Sequence, residues 1–196
     1  MASRISSRVS RRAAIGGGAA ALAALAMPNI VWAQSSTITV RIYQGYFRTF
    51  VEQSILPKFT SLTGIAVKTV EDTTSAAWLI QLEKAARIGV AAADVSMMTR
   101  VTTSQGISTK LWAPIDLSKV PYSKYLNPKY VSRYSDGQVA AVGASTWTIM
   151  NDTAYWGVSK ASRATAQNHA FIDFMCRPAV QKQLINALGV TPTVTV

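Results

Sequence analysis

Residues 38–70 read ITVRIYQGYFRTFVEQSILPKFTSLTGIAVKTV, and their order decides the fold. Ile38, Val40 and Ile42 alternate with polar neighbours, the two-residue period of a half-buried strand. Phe47, Phe50, Val51, Ile55 and Phe59 then fall on one helical stripe. Pro57 lies inside that stripe and is expected to kink the helix or end its first part. Gly64 is placed to stop the helix as its C′ residue, and residues 65–70 alternate again as a second strand.

Downstream, Thr73 or Thr74 can cap a helix running through Arg87, with Leu79, Leu82 and Ala86 inward and Gly89 after its end. Residues 93–98, ADVSMM, read as a short third strand. A β-α-β-α-β order predicts a parallel sheet with right-handed crossovers. Residues 102–117 read as a short helix, a turn at Gly106 and an extended edge segment. Tyr122, Tyr125, Tyr130 and Tyr134 stand at irregular spacings, as packing residues of a long surface loop do. Residues 138–150 and 155–160 read as two more strands. Two helices close the chain: Phe171, Phe174 and Met175 stripe the first. Pro178 opens the second, with Val180, Leu184 and Leu188 inward and Gly189 after it.

At the start of the chain Arg4, Arg8, Arg11 and Arg12 precede an Ala-, Gly- and Leu-rich run from Ala13 to Met27. A basic segment, a short apolar segment and small-residue cleavage chemistry define an export signal. The run is shorter than the ~20 residues that span a bilayer. Ser10–Arg12 resembles a twin-arginine signal, and an ordinary Sec signal stays open. Cleavage is expected after Ala33, leaving residues 34–196 as a single domain. That segment keeps 20 − 4 = 16 basic residues against 9 acidic ones, a net of +7. The cations are scattered without a basic run, which argues against a nucleic-acid surface. The one cysteine, Cys176, excludes an internal disulfide and reads as a small core residue.

No catalytic set emerges. His169, the one histidine, stands at the polar start of a helix and reads as a helix-surface residue. The residues offer neither a cofactor motif nor a Cys/His/Asp/Glu cluster for a metal. What remains is a binding geometry. Open parallel sheets take ligands beyond the carboxyl ends of their strands. Three such ends are legible: Tyr43, Gln44, Gly45 and Tyr46 after the first strand, Ser96 and Met97 in the third, and Trp147 in a later one.

The motif order is more specific. An export signal leads into KFTSLTGIAV (58–67), then GISTKLWAPIDLS (106–118), VAAVGASTWTIMNDTAY (139–155) and FIDFMCRPAVQ (171–181). In this order they resemble the extracellular solute-binding proteins of ABC importers, in the spermidine/putrescine-receptor group. The resemblance implies an α/β fold of the type II periplasmic-binding-protein kind, with a mostly parallel sheet flanked by helices. It implies a periplasmic receptor without catalysis or cofactor, which carries a small polar, polyamine-like solute to an inner-membrane ABC permease. It also places Tyr43 to Tyr46, Ser96, Met97 and Trp147 toward the ligand.

Such receptors have two lobes, and the chain normally leaves the first after a strand like STWTIMN and returns at one like YWGVSK. Here only a few residues separate those strands, so the second lobe is missing near 155–156. Asn151-Asp152 is also ordinary turn chemistry, and a plain hairpin stays open. No acid stands at the three strand ends, whereas polyamine receptors draw cation-binding acids from the absent lobe. Two further readings remain: an internally deleted remnant that binds poorly, and an interaction module that uses the exposed cleft face, which also invites self-association.

Overall fold

The computed structural model describes residues 37–71, 75–147 and 152–196. The export signal and its cleavage point lie outside the described residues, as do the proposed helix caps Thr73 and Thr74. The chain forms β1 (Thr37–Arg41), α1 (Tyr46–Phe50), a π-helical turn (Val51–Ile55), α2 (Leu56–Thr63), β2 (Ala66–Val70), α3 (Ser75–Arg87) and β3 (Val95–Thr99). There follow α4 (Arg100–Ser108), three short 3₁₀ turns between Leu117 and Tyr130, β4 (Val131–Arg133), β5 (Val139–Trp147), β6 (Asp152–Val158), α5 (Thr165–Met175) and α6 (Pro178–Leu188).

The strands make one six-stranded sheet in the order β2-β1-β3-β6-β5-β4. β1 pairs in parallel with β2 and β3, through crossovers made by the helices between them. β6 then inserts antiparallel to β3, and β5 and β4 continue antiparallel. Four strands (β2, β1, β3 and β5) therefore run one way, and β6 and β4 run the other. This is an α/β fold, one mixed sheet flanked by helices.

Helices cover both faces, so β3, β5 and β6 are buried on both sides, while β2 at the sheet's edge is not. Ile38, Val40 and Ile42 face the larger core with Met97, Val142 and Trp156, under Phe59 of α2, Phe171 of α5 and Leu184 of α6. Edge-to-face ring pairs knit that core: Phe59–Phe171 at 5.6 Å and Trp156–Phe171 at 5.3 Å. The other face packs Met98 and Ala140 against Trp78, Leu79 and Leu82 of α3 and against Trp112.

Pro57 explains the break in the first helical stretch. It has no N–H to return to the carbonyl of residue 53, so the ladder widens into the π turn just before it and α2 restarts with Pro57 in its first turn. Gly64 ends α2 in the left-handed conformation, with its N–H 2.8 Å from Thr60 O, as expected of a C′ glycine.

Two sequence expectations are corrected. Gly106 is no turn: it lies within α4, and the chain reverses at Thr109–Lys110 instead. Its lack of a side chain seats Trp112, since a Cβ there would lie 2.8 Å from the indole Cζ2. His169 is not on the helix surface but 4% exposed. Its Nε2 accepts from Asp116 N (3.0 Å), which fixes the proton on Nδ1, and Nδ1 donates to Thr165 O (2.6 Å). It pins the extended segment at Asp116 to α5. Cys176 is buried, and burial pushes its thiol up to about 12, the state of an inert core residue.

Candidate functional site

Because β6 runs against its neighbours, its first residue reaches the same sheet edge as the carboxyl ends of β1, β3 and β5. A cleft of about 430 Å³ opens there, lined by Tyr43, Gln44, Phe47, Thr99, Trp147 and Asp152. Each comes from a defined place. Tyr43 and Gln44 follow β1. Gly45 takes φ 86°, a conformation that favours glycine, and starts α1 so that Phe47 returns to the cleft. Thr99 ends β3 and caps α4, its hydroxyl accepting from Thr102 N at 3.3 Å. Trp147 ends β5 and is the register partner of Asp152 at the start of β6.

Three rings form the apolar wall. Trp147 meets Tyr43 at 5.6 Å and 67°, and Phe47 at 5.5 Å and 58°. Such tilted contacts hold the ring planes in place. Behind Tyr43 lies Arg41, fully buried, with its guanidinium 4.7 Å from the ring centroid and its Nη1 donating to Met97 O. The aromatic wall is thus supported from beneath the sheet edge. On the open side, Asp152 supplies a carboxylate, and Gln44 and Thr99 supply neutral hydrogen-bonding groups.

Of the residues singled out from sequence, Tyr43, Gln44 and Trp147 are brought together. Gly45 lies beside them as the hinge into α1. Tyr46 is 70% exposed and sits outside the cleft lining. Ser96 and Met97 stay inside the sheet. Ser96 is fully buried and accepts from Trp78 Nε1 at 3.0 Å, and Met97 is in the larger core. The third strand end was set too early: β3 runs on to Thr99, which takes the cleft position.

Asp152 was not legible as a site residue. It sits next to a turn in sequence, and only the antiparallel register of β6 against β5 carries it to the cleft. The expectation that no acid stands at the strand ends is corrected by this register. Among the described residues no group of three or more His, Cys, Asp or Glu is placed to hold a metal, and no helix is long and apolar enough to cross a membrane.

No protein-family model and no curated protein sequence matches the chain. Solved structures do. A periplasmic binding protein from A. tumefaciens R10 in complex with agropinic acid superposes with TM-score 0.69 at 12% identity, over 82% of this chain and 84% of that one. The GacH receptor of Streptomyces glaucescens, solved unliganded and with acarbose, gives 0.68 at 12% identity, over 83% and 81%. The spermidine/putrescine ABC transporter substrate-binding protein from Streptococcus pneumoniae gives 0.64 at 10% identity, over 79% and 82%. Agropinic acid, acarbose and the spermidine/putrescine of the third protein's name are chemically unlike, so what the likeness carries to this chain is the scaffold. The chain therefore has the fold of the periplasmic solute-binding proteins of ABC transporters, with its cleft at the sheet edge where β1, β3 and β5 end.

Proposed function

We propose that this chain is a periplasmic solute-binding component of an ABC importer, and that its cleft receives a small, polyamine-like cation without catalysis. One observation carries the ligand class: the Asp152 carboxylate stands in the same cleft as the rings of Tyr43, Phe47 and Trp147. A carboxylate attracts an ammonium group, and aromatic faces stabilise it further while packing the methylenes beside it. Gln44 and Thr99 are placed to hydrogen-bond N–H groups. The fold supports the receptor reading, and the arginine-rich, Ala-rich leader supports export. An inner-membrane permease is the partner that this role requires.

The test is a putrescine titration followed through the indole N–H resonance of Trp147 in nuclear magnetic resonance spectra. Putrescine should move that resonance, and Asp152→Asn should weaken binding about two- to fivefold, the scale of a solvent-exposed ion pair. A neutral sugar of similar size should leave it in place. Equal binding by the Asn variant, or an equal response to the sugar, would reject the cationic ligand.

A second reading has its own support. Trp147 and Asp152 are paired although only four residues separate them. That shortness fits an internally deleted receptor, in which two crossing strands are tied directly where a second lobe once intervened. Such a remnant would offer its solute one wall, and the rim around Tyr46 would be open to a second copy of the chain.

A further inference from the structure

The cleft carries one acid, and a charge of opposite sign lies behind its wall. Asp152 is the one carboxylate among the described residues of the lining, beside the neutral Gln44 and Thr99. Arg41, at the end of β1, is not in the lining. It is fully buried, yet its guanidinium stands 4.7 Å from the ring centroid of Tyr43, which does line the cleft. The guanidinium therefore lies behind that ring as an incoming solute meets it. Its Nη1 donates to Met97 O in β3, which holds it there.

Burying a charge is costly, and an apolar side chain of similar bulk would fill the same space at lower cost. Packing alone thus gives no reason for an arginine at the end of β1. Its effect on the ring does. An aromatic ring attracts a cation through the negative charge of its faces. With a guanidinium already on one face of Tyr43, a second cation brought to the ring from the cleft meets that charge through the ring. The two repel, and the ring rather than water separates them, so screening is incomplete. Once Asp152 holds one ammonium, a second finds no further carboxylate in the described lining and a repelling wall beside it.

We infer that Arg41 is a specificity-determining residue, which limits the cleft to solutes with one ammonium group and an uncharged remainder. Asp152 takes the ammonium, and the remainder packs on Tyr43, Phe47 and Trp147. The inference rests on the cationic ligand proposed above and narrows it, since a diamine such as putrescine must leave its second ammonium in water.

The test compares putrescine with n-butylamine, the same carbon chain with one ammonium fewer, by titration through the Trp147 indole resonance. A cleft with one carboxylate and no opposing charge would favour putrescine, because either of its ends can pair and its second charge adds attraction. In the unaltered chain n-butylamine should instead bind as tightly as putrescine or more tightly. Arg41→Met, which keeps bulk and removes the charge, should shift the ratio toward putrescine about threefold to fivefold, the scale of one partly screened repulsion. Arg41→Lys, which keeps the charge, should retain the original ratio. So should Lys68→Gln with Lys182→Gln, a larger charge loss outside the cleft lining. Tighter binding of putrescine by the unaltered chain, an unchanged ratio in folded Arg41→Met, or an equal shift in the Lys68/Lys182 variant overturns the inference and leaves the cationic ligand standing. If neither amine moves the resonance, the cationic ligand itself fails and the inference falls with it. Should Arg41→Met not fold, the ratios of the unaltered chain and of Arg41→Lys still decide.

Discussion

Gly106 and Gly157 both close on one indole. A Cβ at Gly106 would lie 2.8 Å from Trp112 Cζ2, and one at Gly157 would lie 2.8 Å from Cε3. Trp112 is 2% exposed and donates from Nε1 to Thr103 O at 3.1 Å. It has nowhere to move without breaking that bond. Gly106→Ala should therefore cost about 2–4 kcal/mol, from overpacking plus an orphaned indole N–H. Thermal unfolding should show a melting point lower by about 5–12 °C for a chain of this size. An unchanged melting point would mean that the indole is not wedged. At this scale, glycines that end helices were legible, because Gly64, Gly89 and Gly189 follow apolar stripes and adopt positive φ. Gly106 was not, because its partner lies across a turn and no local pattern announces a close approach. His169 was misread for a similar reason: its two partners are a helix carbonyl and a distant amide.

The first helical stretch is tied to the sheet by charge as well as by its apolar stripe. Arg48 pairs with Glu52 at 2.7 Å and also with Glu71, while Glu52 accepts from the hydroxyl of Thr69 in β2. The Thr69 hydrogen bond, helped by Arg48 and opposed by partial burial, holds the Glu52 carboxyl below its usual range. A lowered folded pKa means that the stabilisation is present above the unfolded carboxylate value and is lost as pH falls through the folded one. Glu52→Gln should thus lower the melting point by about 1–3 °C at pH 7, the scale of an exposed ion pair, and by progressively less as the pH falls through the folded value. A difference that grows on acidification would contradict this assignment. Elements themselves were largely readable. The alternating runs gave β1, β2 and β3, and the stripes with Pro178 and Gly189 gave α6. The insertion of β6 between β3 and β5 was not, since strand order depends on long-range pairing that local periodicity does not encode. That insertion is also why Thr99 and Asp152 escaped notice as cleft residues.

For the whole molecule, the decisive quantity is how much of a ligand the cleft encloses. Among the described residues there is one sheet, and the side chains lining the cleft lie along one edge of it. A receptor that binds at ~1 μM draws about −8 kcal/mol from all of its walls. The loss of translational and rotational freedom on binding is the same whether one wall or two hold the solute. On the reading that the second lobe is missing, roughly half the contacts would be gone and water would reach the Asp152 carboxylate, so ion pairing there would be screened toward the surface range. Hinge closure also needs two bodies that can move about a joint. Putrescine should therefore bind the monomer with Kd in the millimolar range or weaker. Calorimetry at micromolar protein should show no saturable heat. Adding 0.5 M salt should weaken the millimolar binding several-fold, since screening acts directly on an exposed carboxylate. A micromolar Kd would require a second wall, and light scattering on the same sample would then decide its source. A dimer forming as ligand is added would place that wall on another copy. A strictly monomeric, tightly binding sample would refute the one-walled receptor.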